Sequence, residues 1–209
     1  MDDTDQEAAK RRPYHHGDLR AHLLRVVREL VETNGPDGFS LAEAARRAGV
    51  STAAPYKHFS DRNDLLNGLV ADAMDRLRAR MVVERDKHPA ASLEAISGVG
   101  KAYVEFAREE PGIFRLMFGL TEGQASDPLL PKKGEATFGV VLNAVAASTA
   151  RTADNPDVSR CAHILWAFVH GLAFLSIDRK LKVPQSPEED WAMLMDMAKG
   201  IVGPLVPKA

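Results

Sequence analysis

The side chains best suited to specific chemistry are gathered in one short stretch. Ser51, Thr52, Ala53, Ala54, Pro55, Tyr56, Lys57 and His58 set two hydroxyls, a phenol, an ammonium group and an imidazole within eight residues. Hydroxyls and phenols both donate and accept hydrogen bonds, and a lysine is a flexible point charge. Such groups read base edges and hold phosphates when they stand on the exposed side of a helix. Thr52 and Tyr56 are the candidates for base edges and Lys57 for a phosphate, with Ser40, Ser51, Ala53, Pro55 and His58 completing the candidate DNA surface.

The flanking residues position that stretch. Ser40 and Glu43 have capping-box spacing, and Leu41, Ala44, Ala45 and Ala48 then recur on one helical face. Gly49 stands where the chain must turn, Val50 can fill the corner, and Ser51 is a good cap for a second helix. Two short helices joined in this way form a helix–turn–helix, whose second helix enters the major groove of double-stranded DNA. Ser60, Asp61 and Asp64 open a further helix, with Ser60 as the expected cap.

Phe39-Ser40-Leu41, Ala45-Arg46-Arg47-Ala48-Gly49-Val50-Ser51, Tyr56-Lys57-His58-Phe59 and Asp64-Leu65-Leu66 together resemble the DNA-binding domain of the tetracycline-repressor (TetR) family. Pro55 departs from its commonest pattern. Proline removes a helical hydrogen bond and restrains the residue before it, so a short or bent recognition helix is expected. The leader at residues 14–20, Pro55 and Trp166-Ala167-Phe168-Val169-His170-Gly171-Leu172 resemble the TetR subset with a WHG effector domain.

Composition sets the frame. The chain has 209 residues and 45% are hydrophobic, enough for a small DNA-reading domain and a larger one with its own core. The net charge is only −2, but residues 10–60 hold nine Lys and Arg against five Asp and Glu, which leaves −6 on the rest. A basic end joined to an acidic body fits a nucleic-acid binder. The single cysteine, Cys161, excludes an intrachain disulfide and a cysteine metal cluster, and a reducing cytoplasmic setting is expected. The apolar run at residues 167–177 is interrupted by His170 and Gly171 and reads as too short for a bilayer, so no membrane partner is expected.

Read in order, residues 1–13 form a polar arm ending in Lys10-Arg11-Arg12, expected to be disordered. The first helix is capped by Asp18, with Leu19, Leu23, Val26 and Leu30 on one face, and ends at Asn34-Gly35. The DNA-binding domain occupies residues 14–62 and a ligand-binding and dimerisation domain residues 63–209. A helix at 61–86 runs from one into the other without a Gly/Ser linker, so its tilt must move the recognition helix. Further helices are expected from 92, 111, 135, 156 and 188, with a mobile loop at 121–134. The fold class is all-α, with about nine helices.

Tyr103, Phe106, Phe114, Met117, Phe118, Phe138 and Trp166 are candidates for a pocket that takes an apolar or aromatic small-molecule effector. His170, one turn from Trp166, is either its polar contact or a structural core residue, and Gly171 permits close helix approach. The resemblance implies a homodimer through the last two long helices, with Phe168, Leu172, Leu175, Trp191, Leu194, Met195, Ala198, Ile201 and Val202 as interface candidates. It further implies a ligand-responsive repressor of a palindromic operator, an activator of the same fold being the alternative. No cofactor is implied. An enzyme using His170 lacks an acidic partner within one turn, and Cys161 and His163 point in different directions on a helix.

Overall fold

The computed structural model describes residues 16–119, 127–181 and 186–207, and these contain eight α-helices, two short 3-10 helices and no strand. The basic arm and the first two residues of the 14–20 leader lie outside them.

α1 (His16–Asn34) begins two residues before Asp18, which therefore sits inside the helix and is not its cap. Its apolar face, Leu23, Val27, Leu30 and Val31, is fully buried. α2 (Leu41–Arg47) is capped by Ser40, whose hydroxyl accepts the Glu43 amide at 3.1 Å. The Glu43 carboxylate reaches forward to Arg47 rather than back to Ser40. At the other end Gly49 adopts φ +69°, its amide bonds Arg46 O and the Val50 amide bonds Ala45 O. This pair of bonds closes the helix around a left-handed residue that glycine occupies without strain.

α3 (Arg62–Arg85) is 24 residues, roughly 36 Å long. Its cap is Asp61, not Ser60: the Asp61 carboxylate accepts the Asp64 amide, and Asp64 in turn accepts the Ser60 amide. α4 (Leu93–Glu109), capped by Ser92, is the central helix and packs on α3, α5, α6, α7 and α8. α4 comes very close to α8 at Gly100, where a Cβ would stand 2.8 Å from Leu194 Cδ2.

α5 (Pro111–Gly119) is short. α6 (Leu129–Thr149) starts six residues earlier than expected, because Pro131 lies in its first turn, where a missing N–H costs nothing. The expected loop at 121–134 therefore ends by Pro128, and its 121–126 part lies outside the described residues. α7 (Pro156–Ile177) is long and apolar enough, by length and composition, to cross a membrane, unlike the interrupted run read from residues 167–177. Val158, Ala162, Leu165, Val169 and Leu172 nonetheless bury one face of it, which packs on α4, α6 and α8. α8 (Pro187–Ile201) carries a full capping box between Ser186 and Glu189 and stops before a 3-10 turn at Gly203–Leu205, short of the expected end.

One hydrophobic cluster runs from Leu23 and Phe59 at the first three helices to Val158 and Leu194 at the last two. No polar linker interrupts it.

Candidate nucleic-acid interface and ligand cavity

The residues after Gly49 do not form a full α-helix. The Ala54 amide bonds Ser51 O, and a single 3-10 turn follows at Pro55–Lys57, with Lys57, His58 and Phe59 amides bonded to Ala54 and Pro55 carbonyls. Pro55 starts this turn, where its lost donor is harmless, but Ala54 remains in the right-handed helical region and escapes the expected restraint. Ala54, Pro55 and Phe59 face inward, while Ser51, Thr52, Ala53 and Lys57 are exposed and Tyr56 is 59% exposed. His58 is half-buried and Ser40 is exposed. Pro55 thus braces the surface from below and does not belong to its outer face.

Three contacts hold this surface. The Phe59 ring lies under the Arg20 guanidinium at 5.2 Å and against Gly68 of α3. Arg62 bonds Pro36 O and Asp37 and covers the Phe39 ring at 5.1 Å. His22 Nε2 meets Ala48 O at 3.2 Å, joining α1 to the end of α2. Leu65, Leu66 and Leu69 of α3 complete the core beneath.

One to three turns further along α3, Met74, Leu77 and Met81 line a cavity of about 430 Å³ walled by α3 to α8. Of the sequence candidates, Tyr103, Met117, Phe118, Phe138 and Trp166 line it. Phe106 does not: it is fully buried with Arg76 and Arg80 over its ring. Phe114 and His170 stand behind the wall, in an aromatic group with Tyr103, Phe118 and Phe174. Sequence reasoning missed Leu77, Met81, Val141, Val169 and Met197, whose apolar periodicity looked the same as ordinary core.

His170 reaches the cavity wall through Tyr103. The Tyr103 hydroxyl and His170 Nδ1 are 2.9 Å apart, and the Trp166 indole also bonds that hydroxyl. Burial pushes the Tyr103 pKa up and the His170 pKa down. A neutral phenol donating to a neutral imidazole satisfies both shifts, and an indole N–H can only donate. Cys161 faces away, its thiol directed at Ile201 O and its pKa raised by burial. No three His, Cys, Asp or Glu side chains form a metal-sized group among the described residues.

The interface candidates divide. Leu172, Leu194, Ala198 and Val202 are buried in this chain's own core, and Phe168 and Leu194 line the cavity. Trp191 stacks on His88 at 5.4 Å, Met195 Sδ accepts the Ser97 hydroxyl, and Ile201 is half-buried. Leu175 is 46% exposed, on the same α7 stripe as Ile164 and Gly171. A Cβ at Gly171 would meet nothing, so within the chain it permits no close helix approach.

Residues 23–69 match the family described as bacterial regulatory proteins, tetR family, and residues 96–198 match the tetracyclin repressor-like C-terminal domain. The nucleoid occlusion factor SlmA of Shewanella oneidensis is 26% identical over 183 residues, 84% of this chain and 92% of its own. A protein with unknown function from Rhodococcus sp. RHA1 is 31% identical, with a TM-score of 0.80 over 92% of this chain and 100% of that one. The TetR family transcriptional regulator PfmR of Thermus thermophilus shares the fold, with a TM-score of 0.60 and 15% identity over 87% of this chain and 97% of its own. The helix–turn–helix, the helical second domain and these matches agree: the chain belongs to the TetR family of DNA-binding transcriptional regulators.

Proposed function

We propose that this regulator binds a palindromic operator as a homodimer in the cytoplasm and is released when a small neutral, apolar effector fills the cavity. The observation that carries this reading is the division of labour along α3. Leu65, Leu66 and Leu69 belong to the core under the helix–turn–helix, and Met74, Leu77 and Met81 of the same helix line the cavity. An object that pushes on the second set must tilt the first.

The effector class follows from the cavity's apolar walls and from its hydroxyl groups, which are already committed, with Glu135 and His163 as the acid and the imidazole of the lining. The Tyr103 hydroxyl is bonded to His170, the Ser97 hydroxyl to Met195 Sδ at 3.0 Å, and the Thr137 hydroxyl to Lys133 O at 2.8 Å. A charged ligand would be desolvated among apolar walls, and the carboxylate in the lining, Glu135, is solvent-exposed and opposes an anion. Thr52 and Tyr56 are assigned to base edges and Lys57 to phosphate. The exposed α7 stripe of Ile164, Gly171 and Leu175 is assigned to the partner subunit, with Gly171 giving close approach between chains.

The test is a thermal-shift screen of neutral aromatic and aliphatic compounds against the purified protein, followed by operator titration with each hit. A hit that fills the cavity and weakens operator binding supports the reading. A cavity-bound compound that leaves operator affinity unchanged overturns it.

A further inference from the structure

A second concave site lies outside the cavity, between α1 and α3. It has a volume of about 370 Å³ and is lined by Arg20, Arg25 and Arg28 of α1 and by Asp72 and Arg76 of α3, with Ala21 and Leu24 at its floor. Four guanidinium groups face one carboxylate. Asp72 is already engaged, since Arg76 Nε binds it at 2.8 Å. Arg76 also binds Glu110, and its Nη2 is buried without a partner among the described residues.

Several arginines elsewhere are matched. Arg80 has Glu109, Arg108 has Asp190, Arg115 has Asp178, and Arg151 and Arg160 share Asp157. No carboxylate pairs with Arg20, Arg25 or Arg28 among the described residues. The acid one turn beyond Arg28 is Glu32, and its carboxylate is taken by the Gly112 and Ile113 amides. Three uncompensated guanidinium groups in one concavity repel one another, a cost that a multiply charged anion would remove. Planar guanidinium forks match phosphate oxygens, and two or more negative charges are needed to balance them.

We propose that the α1–α3 cleft is a binding site for a small phosphate-bearing anion, distinct from the effector cavity. Such an anion would bridge α1 to α3 beside the helix–turn–helix and brace the DNA-binding end.

Pyrophosphate is the probe, titrated calorimetrically into the intact protein at physiological salt. Saturable binding is expected, weakened at least about tenfold in Arg25→Gln/Arg28→Gln, the loss expected of severed charge-assisted bonds. Arg25→Lys/Arg28→Lys should fall between, keeping charge but losing the forked geometry. Circular dichroism of the Gln variant should match that of the parent, since neither arginine has a carboxylate partner to lose among the described residues. The absence of saturable pyrophosphate binding overturns the proposal. So does a Gln variant that binds pyrophosphate normally. A Gln variant with weaker operator binding and a salt slope reduced by about two also overturns it, because the two arginines would then be DNA phosphate contacts.

Discussion

Tyr103 of α4 and His170 of α7, 67 residues apart in sequence, meet through a 2.9 Å hydrogen bond that fixes the polar edge of the cavity wall. Burial holds the His170 pKa below its ordinary 6.5. The unfolded chain therefore takes up a proton on this ring at a higher pH than the folded chain does. The stabilisation is complete above about 6.5 and fades as pH falls through the lower folded value. His170→Phe should remove that segment of the stability–pH profile. At neutral pH it should cost about 1–3 kcal/mol, because the Tyr103 hydroxyl loses its acceptor. Denaturant titrations across pH 5 to 8, roughly the range in which histidine titrates, give both numbers. An unaltered profile in the variant would remove His170 from the account.

Glu32 provides a second link between the domains. Its carboxylate accepts the Gly112 amide at 3.0 Å and the Ile113 amide at 2.8 Å, tying α1 to the start of α5. Met117 and Phe118 at the other end of α5 line the cavity. Glu32→Ala leaves two first-turn amides without that acceptor and should destabilise the fold by about 1–3 kcal/mol. It should also shrink the effector-induced change in operator affinity while effector affinity stays near normal. Parallel titrations of effector and operator with the parent and variant proteins check this.

Lys57 is exposed on the 3-10 turn beside Tyr56. Lys57→Ala should weaken binding to all DNA sequences alike and flatten the log–log salt slope by about one unit. Thr52→Ala should relax sequence preference with the slope unchanged. Binding isotherms on operator and scrambled DNA at several salt concentrations separate the two roles.

Leu175 and Ile164 stand exposed on α7, which packs on α8. Leu175→Asp places a charge where the proposed partner chain would bury it and should shift the protein to monomer in sedimentation. Operator affinity should fall with it, because one short recognition segment buries too little surface to specify a site. A monomer that still protects both half-sites, roughly 34 Å apart, would contradict the dimer assignment.

The local features were legible in the sequence because local rules set them. Ser40 caps α2 because its hydroxyl accepts a free first-turn amide, and Gly49 turns left-handed because glycine does so without strain. Asp61 and Ser60 are both good caps, and what separates them is the Asp64 carboxylate that binds the Ser60 amide. Periodicity marked Leu172, Leu194, Ala198 and Val202 as apolar but could not say which chain buries them. Their own α4 and α7–α8 contacts do so. Trp166 and His170 were readable as neighbours one turn apart, yet only tertiary packing brings Tyr103 between His170 and the cavity. The Arg20, Arg25 and Arg28 face was invisible in a net charge of −2.

In the proposed switch the cavity and the DNA surface share α3 as one mechanical element. Linkage then requires that operator DNA and effector oppose each other by the same factor, typically about 5–150-fold. The most direct measurement is the affinity of a cavity-bound effector for the free protein and for the saturated operator complex. Effector binding weaker on the complex, by the factor with which effector weakens operator binding, is the predicted result. Equal effector affinity in the two states would rule out coupling through α3.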